Sequence, residues 1–341
     1  MEPVIKKKKI SRKSVLIICL PLSLIALVMA LISMYVAPPE IPAADEQEER
    51  AVKYSRKMFP LMTLYEDAES SGSMPVLSGE PRKEGNYTFL IAGTSDGFTT
   101  DTIMVARLDT VGKTFNLVSI PRDTKVSTTR AVKKINGAHL QGGQEQLMRE
   151  VGSILGFTPD FYTTVNLEGF MALVDAVGGV EFDVPHSMNY DDPNQNLSIH
   201  LSPGLQHLDG DKAMQLMRFR GYLGADFRRM EMQQEFLRAV AKKMITPATL
   251  LKIDELIEIY EDNVTTDLDS GNLLWLAMQI YGIGEENIDM STFPVFTVDS
   301  KEINPLFYQF VSTKAALGMI NEKLNPYSAD ITAANVIHPQ S

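Results

Sequence analysis

Residues 15–36, VLIICLPLSLIALVMALISMYV, form an unbroken run of 22 residues without a charge. At 1.5 Å of rise per residue, such a helix is long enough to cross a hydrocarbon layer of roughly 30 Å. In that layer the backbone must satisfy its own hydrogen bonds, so a lone run of this kind is expected to be a helix, and Pro21 is tolerable within it. The flanks are lopsided, with KKKKISRK before the run and PPEIPAADEQEE after it. The positive-inside rule then leaves residues 1–14 in the cytoplasm and everything after Ala37 outside. A cleaved signal peptide would have an apolar stretch of roughly 7–15 residues and a small-residue cleavage site. This run is longer and no good A-x-A site follows, so a retained single-pass type II anchor is expected.

Whatever folds must therefore fold on the far side of the bilayer. Residues 37–85 read as a stalk: Pro38, Pro39 and Pro42 open it, a charged helical stretch follows from 46 to 68 with a break at Pro60, and SSGSMPVLSGEPRKEG reads as a flexible joint. From Asn86 onward, short apolar runs alternate with amphipathic ones. Strands are expected at 87–92, 102–108, 114–120, 161–165, 180–184 and 287–296. Helices are expected at 144–155, 167–177, 208–218, 226–243, 247–260 and 270–281, with 305–321 partly helical. The Asn/Asp/Pro-rich segment 186–200 reads as a loop, and the last residues, 326–341, as a loosely held tail. This alternation predicts an α/β domain over 86–325, a mixed central sheet covered by helices.

Six basic residues and one acid precede Pro38, so the −11 of the whole chain becomes −16 for the remainder. An acidic body of that size argues against general nucleic-acid binding, which needs a basic footprint. The single cysteine, Cys19, rules out an intrachain disulfide.

Against that acidic background, LMRFRGYLGADFRRMEMQQEFL at 216–237 stands out, with Arg218, Arg220, Arg228 and Arg229 among apolar residues. Guanidinium groups keep their charge and present a planar fork suited to phosphate or carboxylate. Asp226, Arg229 and Gln233 fall on one helix face. Arg218 and Arg220 are two apart and reach one ligand only if the chain leaves the helix there, as Gly221 and Gly224 permit. The run GTSDG at 93–97 matches the nucleophile elbow of α/β hydrolases, but that elbow must lead into a helix and here a strand follows almost at once. A carboxylate pair suits it better. Asp96 and Asp101 flank a short loop between two strands, two hard oxygen donors for Mg²⁺ shared with ligand phosphates. SIPRD at 119–123 puts Arg122 and Asp123 at a strand end stopped by Pro121, and KINGAH at 134–139 adds Lys134, Asn136 and His139 just before a helix. His186, His200 and His207 show no metal-ligand spacing.

The ordered set — basic tail, membrane run, stalk, GTSD…DT, SIPRD, KINGAH and the RFR…DFRRMEMQQ helix — resembles the LytR-CpsA-Psr family of bacterial envelope proteins, from about Tyr87 to Met244, with fainter support at VTTDL, 264–268. The resemblance implies an α/β/α sandwich that transfers a glycopolymer from a polyprenyl-pyrophosphate carrier to peptidoglycan, with an apolar pocket for the lipid tail. It implies that Asp96 and Asp101 hold Mg²⁺, with Mn²⁺ as an alternative. Arg122, Arg218, Arg220 and Arg229 would bind the pyrophosphate, with Lys134 and Gln233 beside them. Asp123 or Asp226 would orient arginines, and one carboxylate would act as base on the acceptor hydroxyl. Asp101, Arg122, Asp123 and Arg220 form the implied catalytic set. Two positions depart from the pattern: Thr99 and Thr100 stand where relatives carry an arginine, and Met232 stands where one precedes the Gln-Gln pair. Arginines of this kind contribute on the order of 2–4 kcal/mol each to a transition state, so their loss points to a weakened or respecialised enzyme. The alternative is a non-catalytic scaffold that binds polyprenyl phosphate or wall polymer.

Overall fold

The structure, a computed structural model, describes residues 36–42, 80–94, 99–193, 197–219, 226–244, 246, 249, 252–298 and 304–339, without the side chains of 226–230, 253 and 254. The predicted membrane run and most of the stalk lie outside the described residues. Among the described residues no helix is long and apolar enough to cross a membrane.

A six-stranded mixed sheet organises the body, in the order β10-β3-β2-β1-β4-β9. Its central strands are β1 (Asn86–Thr94), β2 (Thr100–Asp109) and β3 (Thr114–Ser119), joined as an antiparallel meander. Beside β1 runs β4 (Phe161–Asn166), in parallel, then the short antiparallel β9 (Val264–Thr266). On the other edge β10 (Ile288–Thr292) runs parallel to β3. The central strands read as continuous apolar runs because both of their faces are covered, and side chains alternate between the faces. Leu90, Ala92, Ile103, Val105 and Val118 pack against α1 (Ala138–Leu155) and α7 (Thr313–Met319). Their neighbours Phe89, Met104, Ala106, Leu108 and Leu117 face α6 (Ser270–Tyr281), where Trp275 meets Tyr87 edge-on at 5.2 Å. Each fully buried Leu, Ile or Phe adds roughly 1.5–3 kcal/mol, so two continuous apolar faces hold the sheet rigid from both sides.

A second core lies beside the sheet. The hairpin strands β5 (Val180–Val184) and β8 (Gly204–Leu208), and β6 (Met188–Asp192) and β7 (Leu197–Leu201), bury Phe182, Met188, Ile199 and Leu208. They pack against α2 (Leu167–Ala176), α3 (Gly210–Arg218) and α4 (Asp226–Met244). The segment 186–200 is thus not a loop but most of the β6–β7 hairpin. Its inward residues, Met188, Leu197, Ile199 and Leu201, alternate with polar ones, a period-2 pattern masked by the Asp/Asn/Pro-rich turn.

Several boundaries also move. The single strand expected at 287–296 breaks at Phe293 and Pro294 into β10 and β11 (Val295–Thr297), and β11 pairs with β12 (Gln309–Val311). The helix expected at 247–260 is α5, Ile253–Asn263. α1 begins earlier than expected, but Gly142 and Gly143 leave helical angles and kink it. The tail is not loosely held. Ile331 is 2% exposed against the first core, Ile337 donates its N–H to Ser153 O, and His338 Nε2 lies 2.9 Å from Ile154 O. The same segment pairs with the end of the predicted stalk, where Lys83 N donates to Pro326 O and Ser328 N to Pro81 O, and Arg82 reaches the buried Asp160 at 2.7 Å. The folded body therefore takes in residues 80–85 and 326–339.

Candidate phosphate site

The C-terminal ends of β1, β3 and β10 and the start of β2 share one end of the sheet, the end where ligands gather in open α/β sheets. There β3 stops, because Pro121 has no N–H to continue a ladder. Thr124 turns the chain by donating its N–H (3.0 Å) and its hydroxyl (2.6 Å) to the carbonyl of Pro121. The chain then returns alongside itself: Val126 N donates to Lys133 O, Ile135 N to Thr124 O and Asn136 N to Arg122 O. This ribbon brings Arg122, Asp123 and Lys134 together from two separate motifs. Arg122 Nη1 donates to Asp101 Oδ1 at 2.7 Å, and Lys134 Nζ pairs with Asp123 Oδ1 at 3.1 Å. All four side chains are half-buried, which leaves room for a ligand while weakening the screening by water. Asp123 was one of two carboxylates, with Asp226, expected to orient arginines. It pairs instead with Lys134, because the ribbon presents Lys134 to it while Arg122 turns toward β2.

The ribbon is held from behind by a pair that no local sequence pattern announces. Arg130 forms a two-pronged ion pair with Glu150 of α1, through Nη1 to Oε1 and through Nη2 to Oε2 at 2.7 Å, and Nη2 also donates to Lys134 O at 2.9 Å. Glu150 is 3% exposed and also accepts from Gln146 Nε2. Twenty positions separate the partners, so only the fold makes them neighbours.

The arginine-rich stretch begins at the end of α3. α3 ends at Arg218, where Phe219 turns to extended angles (φ −62°, ψ 130°) and buries its ring 5.9 Å from His186. The chain leaves the helix between Arg218 and Arg220, as the spacing required. Arg218 is half-buried, whereas Arg220 lies outside the described residues, as does Asp96. Asp226 and Arg229 fall in the first turns of α4, with their side chains outside the description. Further along α4, Gln234 donates to Ser291 O and Thr292 Oγ1, and Thr292 pairs with Ser119 at the end of β3. Arg229 precedes Gln234 by five residues, roughly 8 Å of helix.

Gln233 does not point freely into a site. Its Nε2 donates to Met217 O at 3.0 Å, satisfying a carbonyl in the last turn of α3 and locking α3 to α4. Met232 is 8% exposed within the second core, so here that position packs rather than binds. Thr100 is fully buried and its hydroxyl donates to Asn136 O at 3.4 Å, which ties the start of β2 to the ribbon.

Two further features bear on a ligand. On the sheet face shared with α6, Ile91 and Met290 are half-buried, on strands that run to the site end. Among the described residues no three His, Cys, Asp or Glu side chains are grouped to hold a metal. A Mg²⁺ ion shared with phosphates needs only one or two carboxylates, and Asp101 supplies a hard oxygen donor of that kind. Two histidines pair with acids on the surface, His200 beside Asp191 at 3.3 Å and His207 beside Glu181 at 2.8 Å.

Comparison with known proteins agrees with this architecture. The model of the LytR_cpsA_psr family matches residues 52–325. The polyisoprenyl-teichoic acid–peptidoglycan teichoic acid transferase TagV of Bacillus subtilis (strain 168) is 31% identical over 237 residues, 65% of this chain and 61% of TagV, so the chain spans less than two thirds of that relative. The regulatory protein MsrR of Staphylococcus aureus (strain COL) is 26% identical over 225 residues, 64% of this chain and 67% of MsrR. The crystal structure of B. subtilis TagV superposes with a TM-score of 0.61 at 27% identity, covering 70% of this chain and 96% of that one. TagT bound to LI-WTA shares the fold, with a TM-score of 0.58 at 18% identity over 75% of this chain and 96% of that one. By the extent of the family match, the chain belongs to the LytR_cpsA_psr family.

Proposed function

We propose that this protein is a membrane-anchored, extracytoplasmic phosphotransferase that moves a glycopolymer from a polyprenyl-pyrophosphate carrier to peptidoglycan. The observation that carries the reading is the ribbon at the strand ends, where Asp101–Arg122 and Asp123–Lys134 stand side by side in a chain of this family. Support also comes from the name of TagV, a teichoic acid transferase, and from the TagT structure bound to a wall polymer.

In this reading Arg122 and Lys134 neutralise the diphosphate, joined by Arg218, Arg220 and Arg229. The acceptor hydroxyl attacks the phosphorus that bears the polymer. The bond from that phosphorus to the bridging oxygen breaks, polyprenyl monophosphate leaves, and the hydroxyl proton passes to a carboxylate, for which Asp123 is placed on the ribbon. A bound Mg²⁺, held by Asp101 with Asp96, would supply further charge neutralisation. Such a reaction needs positioning and electrostatics more than covalent help from the protein. A bilayer anchor would keep enzyme and carrier at high effective concentration.

The test uses full-length protein in detergent with a polyprenyl-pyrophosphate glycan, peptidoglycan and Mg²⁺. Arg122→Ala, Asp101→Ala and Arg220→Ala should each lower transfer by about 10²–10³, the usual cost of removing one preorganised charge from an anionic transition state. Carrier binding without transfer in the wild type would turn the reading to a scaffold, and no carrier binding would end both.

A further inference from the structure

Beside the ribbon stands a surface with no part in phosphate binding. The β11–β12 hairpin leaves the site end of the sheet, where Phe293 N donates to Ser119 O. It then joins the ribbon directly: Gln309 N donates to Asp123 O at 3.0 Å, and Lys125 N donates to Gln309 O at 2.8 Å. Phe296 (46%) on β11, Leu306 (41%) and Phe307 (49%) in the turn before β12, and Val132 (48%) on the neighbouring loop are exposed. Ring contacts tie Phe296 to the residues that follow the turn. Phe296 lies 5.8 Å from Phe310 and Phe310 lies 6.5 Å from Tyr308, whose hydroxyl accepts from Lys133 N.

This surface is built rather than left over. Asn304 is 1% exposed, and its amide accepts from Tyr308 N (2.7 Å) and donates to Tyr308 O (2.9 Å), so a buried side chain shapes the turn at 305–307. That turn holds Phe307 at φ +51°, a left-handed angle costly for a bulky residue and free for glycine. A strained backbone that pushes a large ring into water is a device kept for a partner more than for packing.

Resting on the proposed function, we infer that this face binds the glycan strand of the peptidoglycan acceptor. Amino-sugar rings would stack their apolar faces on Phe296 and Phe307, while carboxylates of the stem peptides would meet the exposed Lys133. Two adjacent residues divide the work. Arg122 faces Asp101 on the β2 side, whereas Asp123 faces Lys134 and is hydrogen-bonded through its backbone to the hairpin. A strand on the hairpin thus brings its hydroxyl to Asp123, next to the diphosphate held by Arg122 and Lys134.

The experiment measures binding of soluble peptidoglycan strands, with and without stem peptides, to the full-length protein in detergent, and then the KM for strand and carrier separately. Phe307→Gly and Phe296→Ala should each weaken strand binding about fivefold or more and raise the acceptor KM in proportion, with the carrier KM unchanged. Phe307→Gly removes the strained angle, so its melting temperature should stay level or rise, separating lost binding from lost folding. Lys133→Ala should weaken only strands that keep their stems. Strand affinity within twofold of wild type in both ring variants, or a change in carrier KM alone, overturns the assignment. Should no protein show transfer, the proposed function fails while strand binding still decides this surface.

Discussion

Replacing Glu150 with alanine is the sharpest test of how the ribbon is held. The change leaves the Arg130 guanidinium, whose side chain is 13% exposed, without its carboxylate, and it also removes the acceptor of Gln146. Breaking a buried ion pair by deleting one partner costs about 3–5 kcal/mol, most of it from the charge left behind. For a domain of this size each kcal/mol shifts the melting temperature by roughly 2–4 °C, so a fall of about 6–20 °C is expected in calorimetry or a dye-based melt. Exchanging both partners for apolar residues of similar volume, Arg130→Met with Glu150→Leu, removes both charges together, and stability should return to within about 1 kcal/mol of wild type. The Arg130 bond to Lys134 O is not restored by that exchange, so transfer should stay low while the melt recovers. A shift below about 2 °C for Glu150→Ala would refute the buried-clamp reading. Recovery of transfer together with stability in the double variant would refute the idea that the clamp positions Lys134.

Other perturbations follow from the same geometry. Gln233→Ala should lower stability by about 1 kcal/mol, the typical net worth of one hydrogen bond, because it frees a carbonyl at the end of α3; a denaturant melt checks it. Gly210→Ala should be more damaging, since a Cβ there would lie 2.4 Å from Met171 O and 2.9 Å from Met171 C, both backbone atoms of α2; about 1–3 kcal/mol is expected from the forced separation of α2 and α3, again read from a melt. His338 titrates below its ordinary value because burial disfavours the imidazolium, although its bond to Ile154 O opposes this. The folded state therefore prefers neutral His338, and that stability is complete above about pH 6.5 and lost as pH falls below it. Hydrogen exchange at Ile337, whose N–H bonds Ser153 O, should accelerate, beyond the trend intrinsic to exchange, between pH 7 and 5, and His338→Asn should flatten the dependence.

The sheet was legible because its information is local: 87–92 and 102–108 are apolar but for Thr88, Thr102 and Arg107, the pattern of a strand covered on both sides. Helices came through where periodicity and caps agree, as at Asp269, which caps α6 with Asn272 in a capping box. The β6–β7 hairpin was not legible, since the acids and asparagines of the 189–196 sequence outweigh four inward apolar residues in any short window. Within the site, Arg122, Asp123 and Lys134 could be chosen from their position at a strand end and before a helix. Their pairing could not, because it depends on a ribbon closed by backbone hydrogen bonds between residues some ten positions apart. Gln233 shows the reverse error: a polar residue on the right helix face is claimed by a neighbouring helix carbonyl. The clamp of Arg130 and Glu150 has no sequence period at all, because it depends on the kinked helix α1 crossing behind the ribbon.

The Asp101–Arg122 contact also bears on the order of events in the proposed reaction. A 2.7 Å pair between carboxylate and guanidinium already satisfies much of what each group offers, so an incoming diphosphate competes with Asp101 for Arg122. A cation entering with the diphosphate removes that competition by giving Asp101 a new partner, and both exchanges are easier together than apart. Carrier affinity should therefore rise with Mg²⁺ in the wild type and lose most of that dependence in Asp101→Asn, where the guanidinium is no longer held by a charge. Equal Mg²⁺ dependence in the two proteins, measured by carrier binding with transfer blocked by omission of acceptor, would mean that the pair is a structural strut and that the cation acts elsewhere. The pair thus ties two expectations into one measurement: whether Arg122 meets phosphate, and whether Asp101 meets metal.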